Sequence, residues 1–254
     1  MANRTMDAST ERLVIMPTFN ERENIEQMVR KVMSITEHFD LLIIDDKSPD
    51  GTADIVKSMQ SEFAQRLHIV ERAGKLGLGT AYITGFKWAL EHGYRFVFEM
   101  DADFSHNPDD LIRLYEACRD GADLAIGSRY IKGVNVVNWP MGRVLMSYFA
   151  SKYVRMVTGM RIMDTTAGFK CYRDNVLRAI NFDKIQMTGY GFQIEMKFTA
   201  WKLGFNVVEV PIIFTDRKLG SSKMSGGIFG EALWGVMRMK LKSILKPMRK
   251  VHAK

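Results

Sequence analysis

Two rhythms of apolar and polar residues run through the first half of the chain. Short runs such as RLVIMP (12–17), FDLLIIDD (39–46), LHIVERA (67–73), RFVFEM (95–100) and DLAIGSRY (123–130) are rich in apolar residues, as strands buried in a sheet are. Between them the apolar positions fall at helical spacing. Residues 25, 28, 29, 32 and 33 do so within NERENIEQMVRKVMSI (20–35), and Ala53, Ile55, Val56 and Met59 do so after the turn SPDGT (48–52). A helix YITGFKWALEHG follows the glycine-rich GKLGLGTAY (74–82), and NPDDLIRLYEACRDG (107–121) opens with Pro and two acids, a good helix start. Strands alternating with single helices predict right-handed βαβ units, a mainly parallel sheet and an α/β fold. Residues 140–180 read as helical and irregular, and FNVVEVPIIFTDR (205–217) returns to extended chain.

Length and composition narrow this. The 254 residues, 46% of them hydrophobic, suit one large α/β domain, expected over residues 11–230 after a flexible lead-in over 1–10. No run of about 18 uncharged apolar residues predicts a membrane-spanning helix. The start, MANRTMDASTER, lacks the apolar core of a secretory signal. Cys118 and Cys171 fit no zinc spacing and are expected to be free thiols in a reducing, cytoplasmic setting.

The net charge of +7 changes the picture more, because of where it sits. Residues 238–254 carry seven Lys or Arg and no acid, leaving 29 basic against 29 acidic residues elsewhere. No basic face on the body or nucleic-acid motif accompanies it, so nucleic acid is not an expected partner. Over 231–254, Trp234, Met237, Leu241, Ile244, Leu245 and Met248 fall on one helical face, and Arg238, Lys242, Lys246 and Arg249 on another. Such a basic amphipathic helix suits a peripheral position at a membrane surface, with Pro247 ending or bending it. The same pattern also fits a helix packed on the body with a solvated charged face.

In parallel sheets ligands bind beyond the carboxyl ends of the strands. Thr18–Glu21, Asp45–Asp46, Asp101–Asp103 and Ser128–Arg129 all fall there. The pair in FVFEMDADFSH (96–106) is a hard-oxygen site, able to bridge a divalent cation to substrate phosphates, although either Asp could instead cap the next helix or be solvated. Asp46 could accept hydrogen bonds from a nucleobase or ribose, or cap the SPDGT turn. Glu21 could bind a ligand or cap its helix. His106 reads as a turn or packing residue. GKLGLGTAY resembles a phosphate loop but is neither a Walker A motif nor a full G-x-G-x-x-G.

Taken together, PTFNERENI (17–25), IIDDKSPDGT (43–52), KLGLGTAY (75–82), MDADFSHNP (100–108), GSRY (127–130), DTTAGFKCY (164–172), GYGFQIEM (189–196) and VPIIFTDRKLGSSK (210–223) resemble the polyprenol-phosphate mannosyltransferases, the dolichol-phosphate mannose synthase group of the family-2, GT-A glycosyltransferases. They occur in order over roughly residues 12–225. The resemblance implies a GT-A fold with a mixed, mostly parallel sheet. It also implies transfer of mannose from GDP-mannose to a polyprenyl phosphate, dolichyl or undecaprenyl, with inversion at the sugar carbon.

The family pattern carries roles onto matching positions. Pro17, Phe19, Glu21, Ile44 and Asp46 correspond to residues holding the nucleotide. Asp101, Ala102 and Asp103 correspond to the segment binding nucleotide and Mg²⁺ or Mn²⁺, with Asp101 and Asp103 as metal ligands. Arg129 and Arg143 match arginines on the acceptor phosphate, and Arg217 and Lys223 match basic residues facing the donor phosphates. Two positions depart from the pattern: Phe19 stands where Tyr is usual, and Ser105 where some relatives place a metal-ligating Gln. Some relatives carry transmembrane helices or use a small membrane protein; this chain is expected to lack the former.

The implied chemistry is coherent. A phosphate acceptor has its second pKa near about 6 and is anionic already, so no strong general base is needed. A UDP-sugar donor, as in polyprenyl-phosphate glucosyl- or N-acetylhexosaminyltransferases, would use the same architecture. A nucleotide-binding oxidoreductase and a non-catalytic membrane module are the readings from other classes. The incomplete glycine fingerprint and the DAD segment argue against the former.

Overall fold

The structure, a computed structural model, describes residues 11–63, 65–187, 189–217, 228–246 and 248–251. Five strands are those the apolar runs predict: β1 (Arg12–Thr18), β2 (Asp40–Asp45), β3 (Leu67–Glu71), β4 (Phe96–Glu99) and β5 (Leu124–Ser128). The intervening helices are α1 (Ile25–Met33), α2 (Thr52–Met59), α3 (Leu78–Glu91) and α4 (Asp110–Arg119). Next come β6 (Val136–Val137), α5 (Met141–Thr158), β7 (Lys170–Arg173), α6 (Asp174–Ala179), α7 (Tyr190–Leu203), β8 (Val207–Pro211), β9 (Phe214–Thr215) and α8 (Ile228–Leu245).

A seven-stranded sheet runs β3-β2-β1-β4-β7-β5-β8, and β6 pairs with β9 beside it. Only β7 is antiparallel in the large sheet, lying between β4 and β5. The chain winds outward from β1 through β2 and β3, then returns to place β4 on the other side of β1. The order therefore reverses between β1 and β4, the place where open sheets of this kind bind ligands at the strand ends.

Strand side chains alternate between two cores. Leu13, Ile15, Leu42 and Ile44 face a core shared with α3, α6 and α7, while Val14, Met16, Leu41 and Ile43 face one shared with α1, α2 and α4. Both sets are fully buried, which explains the continuous apolar runs. Each such side chain contributes about 1.5–3 kcal/mol of burial.

Three differences from the sequence reading concern element boundaries. The first helix begins at Ile25 rather than near residue 20, because residues 20–24 turn over the end of β1. The second half of the glycine-rich loop is the start of α3, where Gly79 serves packing: a Cβ there would meet Phe192 at 2.7 Å. The stretch 140–180 contains a full strand, β7, that its Lys and Arg ends conceal.

Candidate active site

The loops after β1, β2 and β4 each hold a non-glycine residue in the left-handed region: Asn20 (φ 55°), Lys47 (φ 57°) and Phe104 (φ 59°). A bulky residue adopts this region at a cost of order 1 kcal/mol or more, and such strain gathers at functional sites. These loops carry most of the predicted nucleotide-side residues.

At the ends of β1 and β2 the two adjacent aspartates divide their work. Asp45 is structural: it accepts from Thr18 Oγ1 at 2.9 Å and from Ser48 Oγ at 2.6 Å, tying the loops together. Asp46 instead pairs with Arg72 Nε at 2.6 Å, and Arg72 Nη1 reaches Thr80 Oγ1 at 2.7 Å. This buried arginine links the end of β2 to the glycine-rich segment, a role invisible in the sequence. Burial pushes the Asp46 carboxyl up even against Arg72. Asp50 caps the SPDGT turn through Thr52. Glu21 is buried and accepts from Asn24 Nδ2 at 3.0 Å. Lys75 lies 5.0 Å from the Phe19 ring, and Pro17, two residues earlier, is half-buried. The Ile44 side chain packs wholly in the core, leaving only its backbone near the strand end.

Beyond β4 the DAD segment splits in character. Asp103 is buried and accepts from Ser105 N at 3.1 Å and Ser105 Oγ at 2.6 Å, and it pairs with Arg217 Nη2 at 2.7 Å. Burial alone would raise its carboxyl, but Ser105 and Arg217 outweigh burial and hold it below the usual carboxylate range. Asp101 is surrounded by protein yet keeps 40% of its side-chain surface open to the cavity described below. It is pushed up to about 7, first by burial and then by the charge of Asp103. Ala102 between them is buried.

His106 is more than a turn residue. Its Nδ1 accepts the Asp101 backbone N–H at 3.2 Å, and its ring stacks on Phe169 at 4.9 Å. Burial lowers it to about 4, so it is neutral near pH 7, with its proton on Nε2.

After β5, Arg129 is fixed from one side. Its Nε and Nη2 each donate to the Asp164 carboxylate at 2.7 Å, and Nη2 also donates to Thr166 Oγ1 at 2.8 Å. The guanidinium lies 5.5 Å from the ring of Trp139, and Arg143 lies 4.1 Å from that ring. Trp139 thus stands close to both arginines. Arg143 also pairs with Asp216 at 2.8 Å.

A cavity of about 180 Å³ brings three predicted residues together: Asp101, Arg129 and Arg143 line it, with His106. From that polar end it runs between α5 and α8, past Met146, Ala150, Leu233 and Val236. Pro17, Phe19, Glu21, Asp46, Asp103 and Arg217 lie outside its lining, on the side of β1, β2 and the end of β9. Lys223 falls outside the described residues.

A buried polar network forms the floor. Glu99 takes hydrogen bonds from Tyr172 OH at 2.9 Å and Gln193 Nε2 at 2.7 Å, and pairs with Lys170 Nζ at 3.0 Å; Lys170 also bonds Gln193 Oε1. Sequence patterning gave no sign of Lys170, Asp164, Trp139 or Asp216 as site supports. Asp164 lies in a quoted segment, DTTAGFKCY, yet its partner stands 35 residues away.

The last helix meets the body on a stripe that the sequence reading did not name. Val236, Met239 and Ser243 are buried against it, and Lys240 Nζ donates to Thr158 O at 3.0 Å. Trp234, Met237, Leu241, Ile244, Leu245 and Met248 are exposed. Exposed Met141, Leu145, Met146, Phe149 and Met156 of α5 add to this apolar surface. Among the described residues no helix is long and apolar enough to cross a membrane. Residues 1–10 and Pro247 lie outside the described residues.

Residues 13–180 match the model of the family described as Glycosyl transferase family 2. An undecaprenyl-phosphate mannosyltransferase of Micrococcus luteus is 48% identical over 226 residues, spanning 89% of this chain and 92% of that protein. A polyprenol monophosphomannose synthase of Mycolicibacterium smegmatis is 46% identical over 229 residues, spanning 88% of this chain and 86% of that protein. Among solved structures, a glucosyl-3-phosphoglycerate synthase from Mycobacterium tuberculosis in complex with Mn²⁺, UDP and phosphoglyceric acid matches with a TM-score of 0.65 at 17% identity, covering 93% of this chain and 78% of that one. A mannosyltransferase from Pyrobaculum calidifontis in complex with GDP-Man and Mn²⁺ gives 0.56 at 16%, covering 90% and 69%. At these identities the structures speak to fold, and the fold is the GT-A arrangement expected from the sequence.

Proposed function

The chain belongs to glycosyl transferase family 2, and on that premise we propose that it transfers mannose from GDP-mannose to the phosphate of a polyprenol. The observation that carries this reading is the cavity, with two arginines and an aspartate at one end and apolar walls from α5 and α8 toward the other. An acceptor with an anionic head and a hydrocarbon tail matches that polarity, whereas a small polar acceptor would leave the walls unused.

Arg129 and Arg143 hold the acceptor phosphate, and Asp164 fixes the Arg129 guanidinium so that its direction is set before substrate arrives. A phosphate oxygen attacks mannose C1 as the bond from C1 to the GDP oxygen breaks, inverting the carbon. No proton is removed from the acceptor, which fits a site whose one histidine is neutral and occupied with the Asp101 backbone. Pro17, Phe19, Glu21, Ile44, Asp46 and Ala102 border the nucleotide side. Arg217, paired with Asp103, faces the departing diphosphate, and the family pattern gives the same role to Lys223.

Asp101 and Asp103 fit a hard divalent cation, Mg²⁺ or Mn²⁺. The Asp101 carboxyl is raised first by burial and then by the charge of Asp103, and a cation between the two would offset that repulsion. Asp101 and Asp103 would hold the cation, with substrate phosphates and water as the further oxygen ligands. When bound, the cation supplies charge neutralisation for the leaving GDP.

The apolar surface of α5 and α8, with exposed Arg238, Lys246 and Arg249 beside it, supports a peripheral position at an anionic lipid surface. The cavity would then open toward the membrane holding the acceptor. A small membrane-protein partner could share that face.

The test is transfer of radiolabel from GDP-mannose to a short polyprenyl phosphate, with Mg²⁺ or Mn²⁺ and with EDTA. Metal-dependent label in the lipid phase is expected. Transfer from UDP-glucose in place of GDP-mannose would overturn the donor, and no transfer from any sugar nucleotide would overturn the reaction.

A further inference from the structure

Lys197 lies on α7 and is fully buried, with its ammonium turned to main-chain carbonyls. Its ammonium donates to the carbonyl oxygens of Ala167, at 2.6 Å, and Asp164, at 3.3 Å. These carbonyls bracket the turn 164–168. The same turn supplies the Asp164 carboxylate and Thr166 hydroxyl that grip Arg129, and Gly168, which lines the cavity.

Burying an ammonium costs several kcal/mol, and an apolar side chain of similar volume commonly gives an equal or more stable fold. Stability alone therefore does not account for a lysine here. Burial, and then the neighbouring charge of Lys170, lower Lys197 well below an ordinary lysine. In either protonation state the amine can donate to carbonyls. Its reach from the helix to the turn is the feature an apolar residue cannot reproduce.

We infer that Lys197 is a positioning residue for the acceptor site: it pins the turn 164–168 so that Asp164 and Thr166 aim the Arg129 guanidinium into the cavity. The inference rests on the assignment of Arg129 to the acceptor phosphate. Lys197 is fully buried and does not line the cavity, so it acts through Arg129.

The experiment compares wild type, Lys197→Met, Arg129→Ala and the double variant, as full chains, with a short polyprenyl phosphate and GDP-mannose. Lys197→Met is expected to raise KM for the polyprenyl phosphate about tenfold and leave KM for GDP-mannose unchanged. In the Arg129→Ala background it should add less than about twofold, since residues acting as one unit are not additive. An unchanged acceptor KM, an equal rise in both KM values, or an equal loss in both backgrounds would overturn the inference. Lys197→Gln, which keeps one donor group, should fall between wild type and Lys197→Met. Thermal melts run alongside: collapse of the fold in both variants would make Lys197 a core residue and overturn the positioning role. A wild type that transfers nothing to polyprenyl phosphate would defeat the acceptor assignment itself, and with it this inference. A normal wild type with unaltered variants would defeat only the role of Lys197.

Discussion

Arg129 and Asp164 meet at two points, each 2.7 Å long, and the Asp164 carboxylate also accepts the Arg129 backbone N–H at 2.9 Å. One aspartate thus fixes both the main chain at the end of β5 and the side chain reaching into the cavity. Burial opposes the charge on Asp164, but Arg129 outweighs it and holds the carboxyl below its usual range. Removing one partner of a buried pair costs about 3–5 kcal/mol, because the other charge is left unpaired.

The Asp164→Asn variant should therefore melt well below wild type at neutral pH. The stability that Asp164 contributes is fully present above its unfolded pKa of about 3.9 and is lost as pH falls through the lower folded value. The gap between the two proteins should narrow in acid. Melting curves from neutral pH to below about 3 check this, and a gap independent of pH would remove the ion pair as its cause.

What could be read ahead of the structure follows from burial. Strands β1, β2, β4 and β5 lie between two layers of helices, so nearly every residue is apolar and the run itself is the signal. Strand β7 is as deeply placed, but it begins with Lys170, whose charge is met by Glu99 from the next strand. No local pattern reveals such a pair. The place of the DAD segment at a strand end was legible because the apolar run before it marks β4. The support for Arg129 was not, because it comes from a turn 35 residues away. On α8 the residues of the named apolar face are exposed, and the stripe that docks the helix is a different, shorter one, with Val236 and Met239 at its centre.

Arg143 should matter to binding more than to folding. It is a third exposed, and its pair with Asp216 at 2.8 Å is of the surface kind, worth about 0–1 kcal/mol. It lies 4.1 Å from the Trp139 ring, to which the pinned Arg129 also comes within 5.5 Å. Arg143→Ala is expected to raise KM for polyprenyl phosphate about tenfold, with KM for GDP-mannose and the melting temperature little changed. Initial-rate kinetics with each substrate varied in turn decide it. A rise confined to GDP-mannose would move Arg143 to the donor side.

Two helical glycines should respond in opposite ways to alanine. On α3, a Cβ at Gly85 would meet Ile15 Cγ2 at 2.6 Å and Cδ1 at 2.9 Å, because the helix lies directly on β1. Overpacking of this kind costs about 1–3 kcal/mol, more than the helix propensity gained. At Gly142, near the start of α5, a Cβ meets nothing within 4 Å. There alanine should stabilise by up to about 1 kcal/mol. Urea denaturation midpoints of Gly85→Ala and Gly142→Ala test the pair, and equal shifts would contradict the close approach of α3 to β1.

The exposed face of α8 makes the membrane reading testable without harming the fold. Deleting residues from 238 onward would also remove Met239 and Lys240, which pack on the body, so lost binding could reflect lost structure. Trp234 is 74% exposed, Leu241 58% and Leu245 79%, apart from the buried stripe of Val236, Met239 and Ser243. Each would bury apolar area in a bilayer interface at about 25 cal/mol per Å², and nearby Lys and Arg add about 1 kcal/mol each against an anionic leaflet. The triple variant Trp234→Ser, Leu241→Ser, Leu245→Ser should cut cosedimentation with phosphatidylglycerol vesicles at least tenfold, while GDP binding and the melting temperature hold. Raising salt should weaken wild-type binding further, since the basic residues act through a screened field. If the triple variant sediments as wild type does, these side chains do not enter the lipid, and the apolar face of α8 serves some other contact.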